Sequence, residues 1–354
     1  MIAASSAHGI EPILPLPAGS RPALAIDAYF FQSLPEIWFA ILLFTLAMYL
    51  FLDGFDFGIG IIFGLRDDED ERELLLTAFG PVWDANEVWL VAFGTILLAA
   101  FPPAYSALLS DHYLLIFAII FALLLRGVSP ELREQRTEDA WQRACDRGFV
   151  AGSILSPLFL GMLAGSWAFG TGALSLPAVL TAVVVLPLSV AAGSGYLATK
   201  TRGAFQTALR RIGELAILGY LGSVVVLLAS VWVLNPQGHR ATLIGPPIVG
   251  LVAASVFLGI LAIGAFRLAR PRAGFLAVGC MTFGLTGILA AFLYPTVYPA
   301  AGMTIRDAVV SPVALNVISI SVIPLLLLVL FYFRYLYRVF SGPIEGEGGY
   351  GQSH

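Results

Sequence analysis

The sequence predicts an all-α integral membrane protein with about nine transmembrane helices, on three observations. Of its 354 residues, 58% are hydrophobic and only 12% charged, with a mean hydropathy of +0.88. A soluble domain carries about 25% charged residues. So large an apolar share exceeds what a water-facing protein can bury, and lipid takes the remainder. Uncharged runs of bilayer-crossing length recur along the chain, and Lys and Arg gather in alternate connections.

Taken in order, residues 1–33 lack a basic cluster and are interrupted by four prolines and two glycines, which reads as an irregular extension and not as a signal peptide. A polytopic domain over 34–340 follows, and then a tail over 341–354. The first helix starts near Pro35 and reaches about Leu65, passing Asp53 and Asp56. Val88 to Ser110 is 23 residues without charge, and with the preceding turn makes the second helix. Tyr113 to Leu125 makes a short third helix with Asp111 and Arg126 at the two interfaces. Gly148 to Thr199, free of charge for 52 residues, suits two helices broken within Gly165–Pro177. Four more spans follow near 214–234, 246–266, 273–295 and 312–335. Lipid cannot satisfy backbone amides and no barrel-like alternation is present, so each span is a helix.

Nine crossings put alternate connections on opposite sides. Sixteen of the nineteen basic residues then fall on one side, leaving Arg21, Arg240 and Arg306 on the other. The positive-inside rule places the N-terminus outside and the C-terminus in the cytoplasm.

Composition excludes several classes. A net charge of −4, thinly spread, gives no footprint for nucleic acid. Cys145 and Cys280 are far apart and form no zinc or redox spacing. His8, His112, His239 and His354 all lie in tails or connections, and Met48, Met162 and Met281 read as packing residues, so no haem iron is expected to be held by this chain. Phosphate-binding glycine motifs are missing.

Polar residues concentrate at the inner end of the first helix and the start of the second. Asp53 and Asp56 share a helical face at a spacing of three, as do Asp84 and Glu87 within Trp83-Asp84-Ala85-Asn86-Glu87. Asp53 lies about 27 Å along a helix begun at Pro35, at 1.5 Å per residue. Acids at such depth form a path for protons or cations when burial and mutual repulsion favour protonation. The same residues could instead cap helices, Asp84 in particular at a positive helix end. Both readings stay open at this point. Trp83 and Trp89 read as interfacial anchors, and Gly54, Gly58, Gly60 and Gly64 as a small-residue packing stripe. The Arg126–Arg133 connection offers Glu131 either as a continuation of the acid line or as a partner in a loop salt bridge. The run Asp67–Glu71 reads as a solvated loop, and Arg306–Asp307 as a local ion pair.

Several of these segments together resemble subunit II of the cytochrome bd-type quinol oxidase. They are LDGFDFGIG at Leu52–Gly60, GPVWDANEVWL at Gly80–Leu90, AAFP at Ala99–Pro102, Arg126 with the ELR that follows, and MTIRDAVVSPVALN at Met303–Asn316. The resemblance threads the chain from about residue 35 to 335. It implies two four-helix bundles plus one peripheral helix, paired in a pseudosymmetric dimer with a larger subunit I. That partner would carry two b-type haems, a haem d and the quinol site. The complex would oxidise quinol and reduce dioxygen to water with cytoplasmic protons, in a prokaryotic cytoplasmic membrane. By position, Trp83 and Asp84 match the family's Trp-Asp pair on a proton path, Asp56 the second aspartate of its DGFD motif, and Glu131 an aspartate of the same route. Gln135 stands where some members have lysine, and the extension of residues 1–33 is long for the family. Small single-helix subunits and a lipid or structural quinone are further partners the sequence leaves open. The expectation is an accessory, non-haem subunit that stabilises its partner and conducts protons. The competing readings are a stand-alone proton-coupled transporter and a purely structural subunit.

Overall fold

A computed structural model describes the chain from residue 22 to residue 344; residues 1–21, with His8 and Arg21, and the tail from 345, with His354, lie outside the described residues. Thirteen α-helices and one short hairpin are formed among those described. Helix α1 is Pro22–Phe63, so residues 22–33, expected to be irregular, are helical. Then come α2 (Glu69–Phe79), α3 (Trp83–Ala100), α4 (Pro102–Asp111), α5 (Tyr113–Arg133), α6 (Asp139–Phe169) and α7 (Leu176–Lys200). They are followed by α8 (Gly203–Leu234), α9 (Arg240–Leu243), α10 (Pro246–Arg267) and α11 (Pro271–Leu293). The hairpin of β1 (Thr296–Tyr298) and β2 (Met303–Thr304), the short α12 (Ile305–Ala308) and the long α13 (Pro312–Val339) complete the order.

Eight described helices are long and apolar enough to cross a bilayer, and α2 with α3, bent by 46°, makes a ninth span. This corrects the second crossing. The helix expected over Val88–Ser110 stops at Ala100, because Pro102 and Pro103 disfavour helical backbone at Phe101 and start α4 instead. The missing length is supplied from the other end by α2, across the Gly80–Val82 turn. The third crossing also differs: Arg126 is not at an interface, and Arg126–Arg133 is not a connection, since α5 continues to Arg133. Between α6 and α7 the break falls at 170–175, with Gly170 at φ +57° ending α6 in the left-handed conformation glycine tolerates.

The spans fall into two groups of four, α1, α2–α3, α5 and α6 in one and α7, α8, α10 and α11 in the other, and α7 packs against both α6 and α1 between them. Helix α13 lies outside both, and only 6% of its apolar window is buried. It touches α1 and α3 through Trp38–Ser319, Phe55–Tyr337 and Trp89–Phe333.

Apolar side chains gain little from leaving lipid, so close backbone approach and van der Waals fit carry the packing. Gly58 faces α7, where a Cβ would strike the Ser189 carbonyl and meet the Gly193 Cα at 2.8 Å. Gly60 and Gly64 instead face Ser153 and Val150 of α6. The four glycines therefore serve two interfaces and not one stripe, and Gly54 has only ordinary contact. Trp89, expected at the membrane surface, is buried edge-on to Phe44, while Trp83 is half-buried and stacked on Phe79.

At the basic end of the helices, Asp68 caps α2, and Glu69, inside the run expected to be a solvated loop, pairs with Arg72 and Arg133. Those two arginines also hold the buried Asp146 of α6 at 3.0 and 2.8 Å, tying α2, α5 and α6 together. At the opposite end, Arg306 pairs with Glu36 at 2.7 Å and not with Asp307. Asp307 forms a capping box with Thr304, whose donors hold the carboxyl below its usual range. Cys145 and Cys280 are free thiols.

Candidate functional site

The most polar part of the interior lies where α1, α3, α5 and α13 meet. Asp53 and Asp56, three residues apart on α1, are both fully buried. Arg126, from the middle of α5, reaches between them and α3: its Nη1 lies 2.7 Å from Asp53 Oδ1, and its Nη2 donates to Glu87 Oε1 at 2.6 Å. The guanidinium is itself wholly buried and sits over the Phe57 ring at 4.9 Å. Gly152 of α6 lets this happen, because a Cβ there would meet the Arg126 amide nitrogen at 2.5 Å.

Asn86, on the same helix as Glu87, extends the cluster. Its amide donates to Asp56 Oδ2 at 2.8 Å and to the Leu52 carbonyl at 3.3 Å, and its oxygen accepts from Tyr337 Oη of α13 at 2.7 Å. Tyr49 lies one turn before Asp53 and against its carboxyl. Asp56 Oδ1 has no hydrogen-bond partner among the described residues. Glu87, with 30% of its side chain exposed, connects the cluster to the surface of α3. One cation thus lies among three carboxyls, paired with Asp53 and Glu87, while Asp56 is held by Asn86.

Of the residues singled out from sequence, Asp53, Asp56, Asn86 and Glu87 come together here. Trp83 lies at the margin, its ring packed on Gly127 beside Arg126. Asp84 is in the first turn of α3 but exposed, one turn from Glu87. Glu131 is exposed near the end of α5, on helix and not loop, and outside the cluster. Sequence reasoning missed Arg126, Tyr49 and Tyr337. Arg126 had a signal in retrospect, since buried acids on neighbouring helices require a cation and it directly ends the apolar run Tyr113–Leu125. Tyr337 had none, because its role depends on where α13 docks.

Both described histidines are buried. His112 uses both ring nitrogens, bonded to Ser166 at 2.9 Å and to the Leu108 carbonyl at 3.1 Å. His239 is packed between Phe169 and Phe292. No described group of three His, Cys, Asp or Glu could hold a metal ion.

Comparison with known proteins converges on one family. A family model described as cytochrome bd terminal oxidase subunit II matches residues 34–340. The chain is 28% identical over 340 residues to the cytochrome bd ubiquinol oxidase subunit 2 of Bacillus subtilis, covering 88% of this chain and 97% of that one. It is 27% identical over 372 residues to the cytochrome bd-I ubiquinol oxidase subunit 2 of Escherichia coli, covering 90% and 97%. Its fold is similar to that of a chain of the bd oxidase from Geobacillus thermodenitrificans, with a TM-score of 0.64, 12% identity, and coverage of 88% of this chain and 99% of that chain.

Proposed function

Because the chain belongs to the cytochrome bd terminal oxidase subunit II family, and so is the accessory, multi-pass membrane subunit of a cytochrome bd quinol oxidase, we propose that its buried ion cluster passes protons toward oxygen reduction in a haem-bearing subunit I. That partner would supply the redox chemistry through its two b-type haems and haem d. The present chain would stabilise it and move protons.

One observation carries this reading: two carboxyls share one buried cation, a third beside them is held by Asn86, and the group opens at an edge, through Glu87, onto an exposed helix face. Carboxyls are the groups here that exchange protons. Arg126 keeps its protons at any physiological pH, and the Asn86 amide only donates to Asp56 and accepts from Tyr337. These two therefore orient the acids, while Asp53, Asp56 and Glu87 carry the charge. Asp84 and Glu131, exposed near the same end of the helices, are placed to gather protons at the entrance. Trp83, stacked on Phe79 and packed over Gly127, screens Arg126 at the side.

The asymmetry of basic residues supports a prokaryotic cytoplasmic membrane location with the N-terminus outside and the C-terminus cytoplasmic, which a reporter fused after His354 tests directly. An apolar cavity of about 610 Å³ between α1, α10 and α11 has room for a lipid chain or the tail of a structural quinone. Small single-helix subunits would dock on the remaining lipid-facing helices.

The test is oxygen consumption by the assembled complex carrying Asp56→Asn, Glu87→Gln, or both with Asp53→Asn. Turnover should fall by roughly a hundredfold or more, the lower reach of a general acid–base step, while the haem absorption spectrum stays normal. Full turnover in the triple variant with an unchanged spectrum would overturn the relay and leave a structural role.

A further inference from the structure

The turn between α7 and α8 meets the turn between α10 and α11 at the basic end of the second helix group. Between them lies a cavity of about 410 Å³, lined by Arg202, Arg270 and Arg272 together with Thr199, Gln206 and Pro343. All three arginines are exposed, and no ion pair among the described residues involves any of them. The Lys200 ammonium is close enough to Arg272 to feel its charge, and is itself committed to the Phe340 carbonyl. No described acid is ion-paired with these three arginines. Glu214 holds Arg267 at 3.0 Å, and Asp70 and Glu71 line a separate cavity on the far side of Arg202, with Glu71 3.6 Å from Arg66.

Like charges so gathered, with no ion pair among the described residues, repel one another by an amount that an anion would convert to attraction. Helix ends add to the field. Both α8 and α11 begin at this corner, with Arg202 and Arg270 in their N-cap positions and no side chain accepting from their first-turn amides.

Beneath Arg272 the same face of α11 continues as an exposed apolar stripe, with Leu276 63% exposed, then Cys280 and Phe283. From Arg272 to Phe283 the helix rises about 16 Å, close to half of a hydrocarbon core of about 30 Å. A cationic rim above one leaflet's depth of apolar surface matches the two parts of a phospholipid. An inorganic anion would have no use for the stripe.

We propose that this corner binds the headgroup phosphate of an anionic phospholipid, with Arg270 and Arg272 as the principal contacts, Arg202 closing the far side, and an acyl chain lying along Leu276 to Phe283. The site is separate from the proton cluster and independent of its function.

The experiment is native mass spectrometry of the purified complex, delipidated and then supplied with phosphatidylglycerol or phosphatidylcholine. The wild-type complex should retain phosphatidylglycerol over phosphatidylcholine by roughly tenfold, as expected for two or more basic contacts. Arg270→Gln with Arg272→Gln should abolish that preference, and the paired Lys variants should keep most of it, which separates lost charge from misfolding. Equal retention in the Gln variant would overturn the site. Displacement of the lipid by inorganic phosphate at matched concentration would also overturn it, by assigning the corner to a free anion. Retention appearing only in a chain truncated after Ile344 would overturn it in favour of the tail's own Glu345 and Glu347.

Discussion

In the first helix group, α1, α3, α5 and α6 close around Asp53, Asp56, Arg126 and Asn86; in the second, α7, α8, α10 and α11 close around Ser194, Ser255, Thr282 and Thr286, with no buried acid among the described residues. Both groups bring backbones together through glycine, Gly152 against Arg126 in the first and Gly195 against Phe275 in the second, and Gly58 against Gly193 does the same between them. The hydroxyls of the second group mostly return to carbonyls of their own helix, as Thr282 does to Val278 and Thr286 to Thr282. They are satisfied wherever the helix is. The charges of the first group find partners only on other helices, so their burial depends on the assembled tertiary structure. The second group therefore holds together without a buried acid among its described residues, and its buried Lys200, at the end of α7, is bonded to the Phe340 carbonyl. Where acids are buried, as Asp53 and Asp146 are, their partners constrain the helices that supply them.

The contrast can be broken most directly at Arg126. Arg126→Leu leaves Asp53 and Glu87 without their cation, and losing one partner of a buried pair costs about 3–5 kcal/mol. The expected result is a large drop in assembled complex and in its thermal midpoint in detergent. An unchanged midpoint would show that the acids need no cation. A smaller effect separates glycine contacts by type. Gly58→Ala drives a Cβ into the Ser189 backbone, whereas Gly213→Ala meets the Ser194 and Phe266 side chains, which can shift. Overpacking of the first kind costs about 1–3 kcal/mol, so Gly58→Ala should lower the midpoint clearly more than Gly213→Ala.

The polar networks give a third comparison. Asn86→Leu strands Asp56 and Tyr337 and should cost about 1–3 kcal/mol, whereas Thr282→Val removes one hydroxyl bonded within its own helix and should cost under about 1 kcal/mol. Similar costs, read from the same melting curves, would mean that cross-helix bonding confers no special dependence. The smallest effect belongs to the exposed Arg306–Glu36 pair. Glu36→Gln should change stability by about 1 kcal/mol or less, and less again at high salt. A larger loss would show that this outer contact does more than an ordinary surface pair.

Much of the fold is legible in the amino-acid sequence. Each span announces itself locally, because lipid satisfies no backbone group and an apolar run of sufficient length has only the helix to adopt. The boundaries that differ, at Phe101 and Arg126, have one cause. A charge is a poor marker of where a span stops: Pro102 ends a helix inside an uncharged run, and a compensated arginine lets one continue past its charge. The site is half legible. The acid spacings on α1 and α3 point to Asp53, Asp56 and Glu87, while Asp84 and Glu131, equally acidic in sequence, are exposed in the fold.

What the sequence alone determined is therefore the solvent, the helices and the family, all properties of short segments in contact with lipid or of motifs within one segment. Which acids are buried, that Arg126 turns inward to hold two of them, and that Tyr337 reaches Asn86 across 251 positions of chain were decided by the rotation and docking of helices against one another. Those depend on contacts between residues far apart in sequence. No local pattern encodes them.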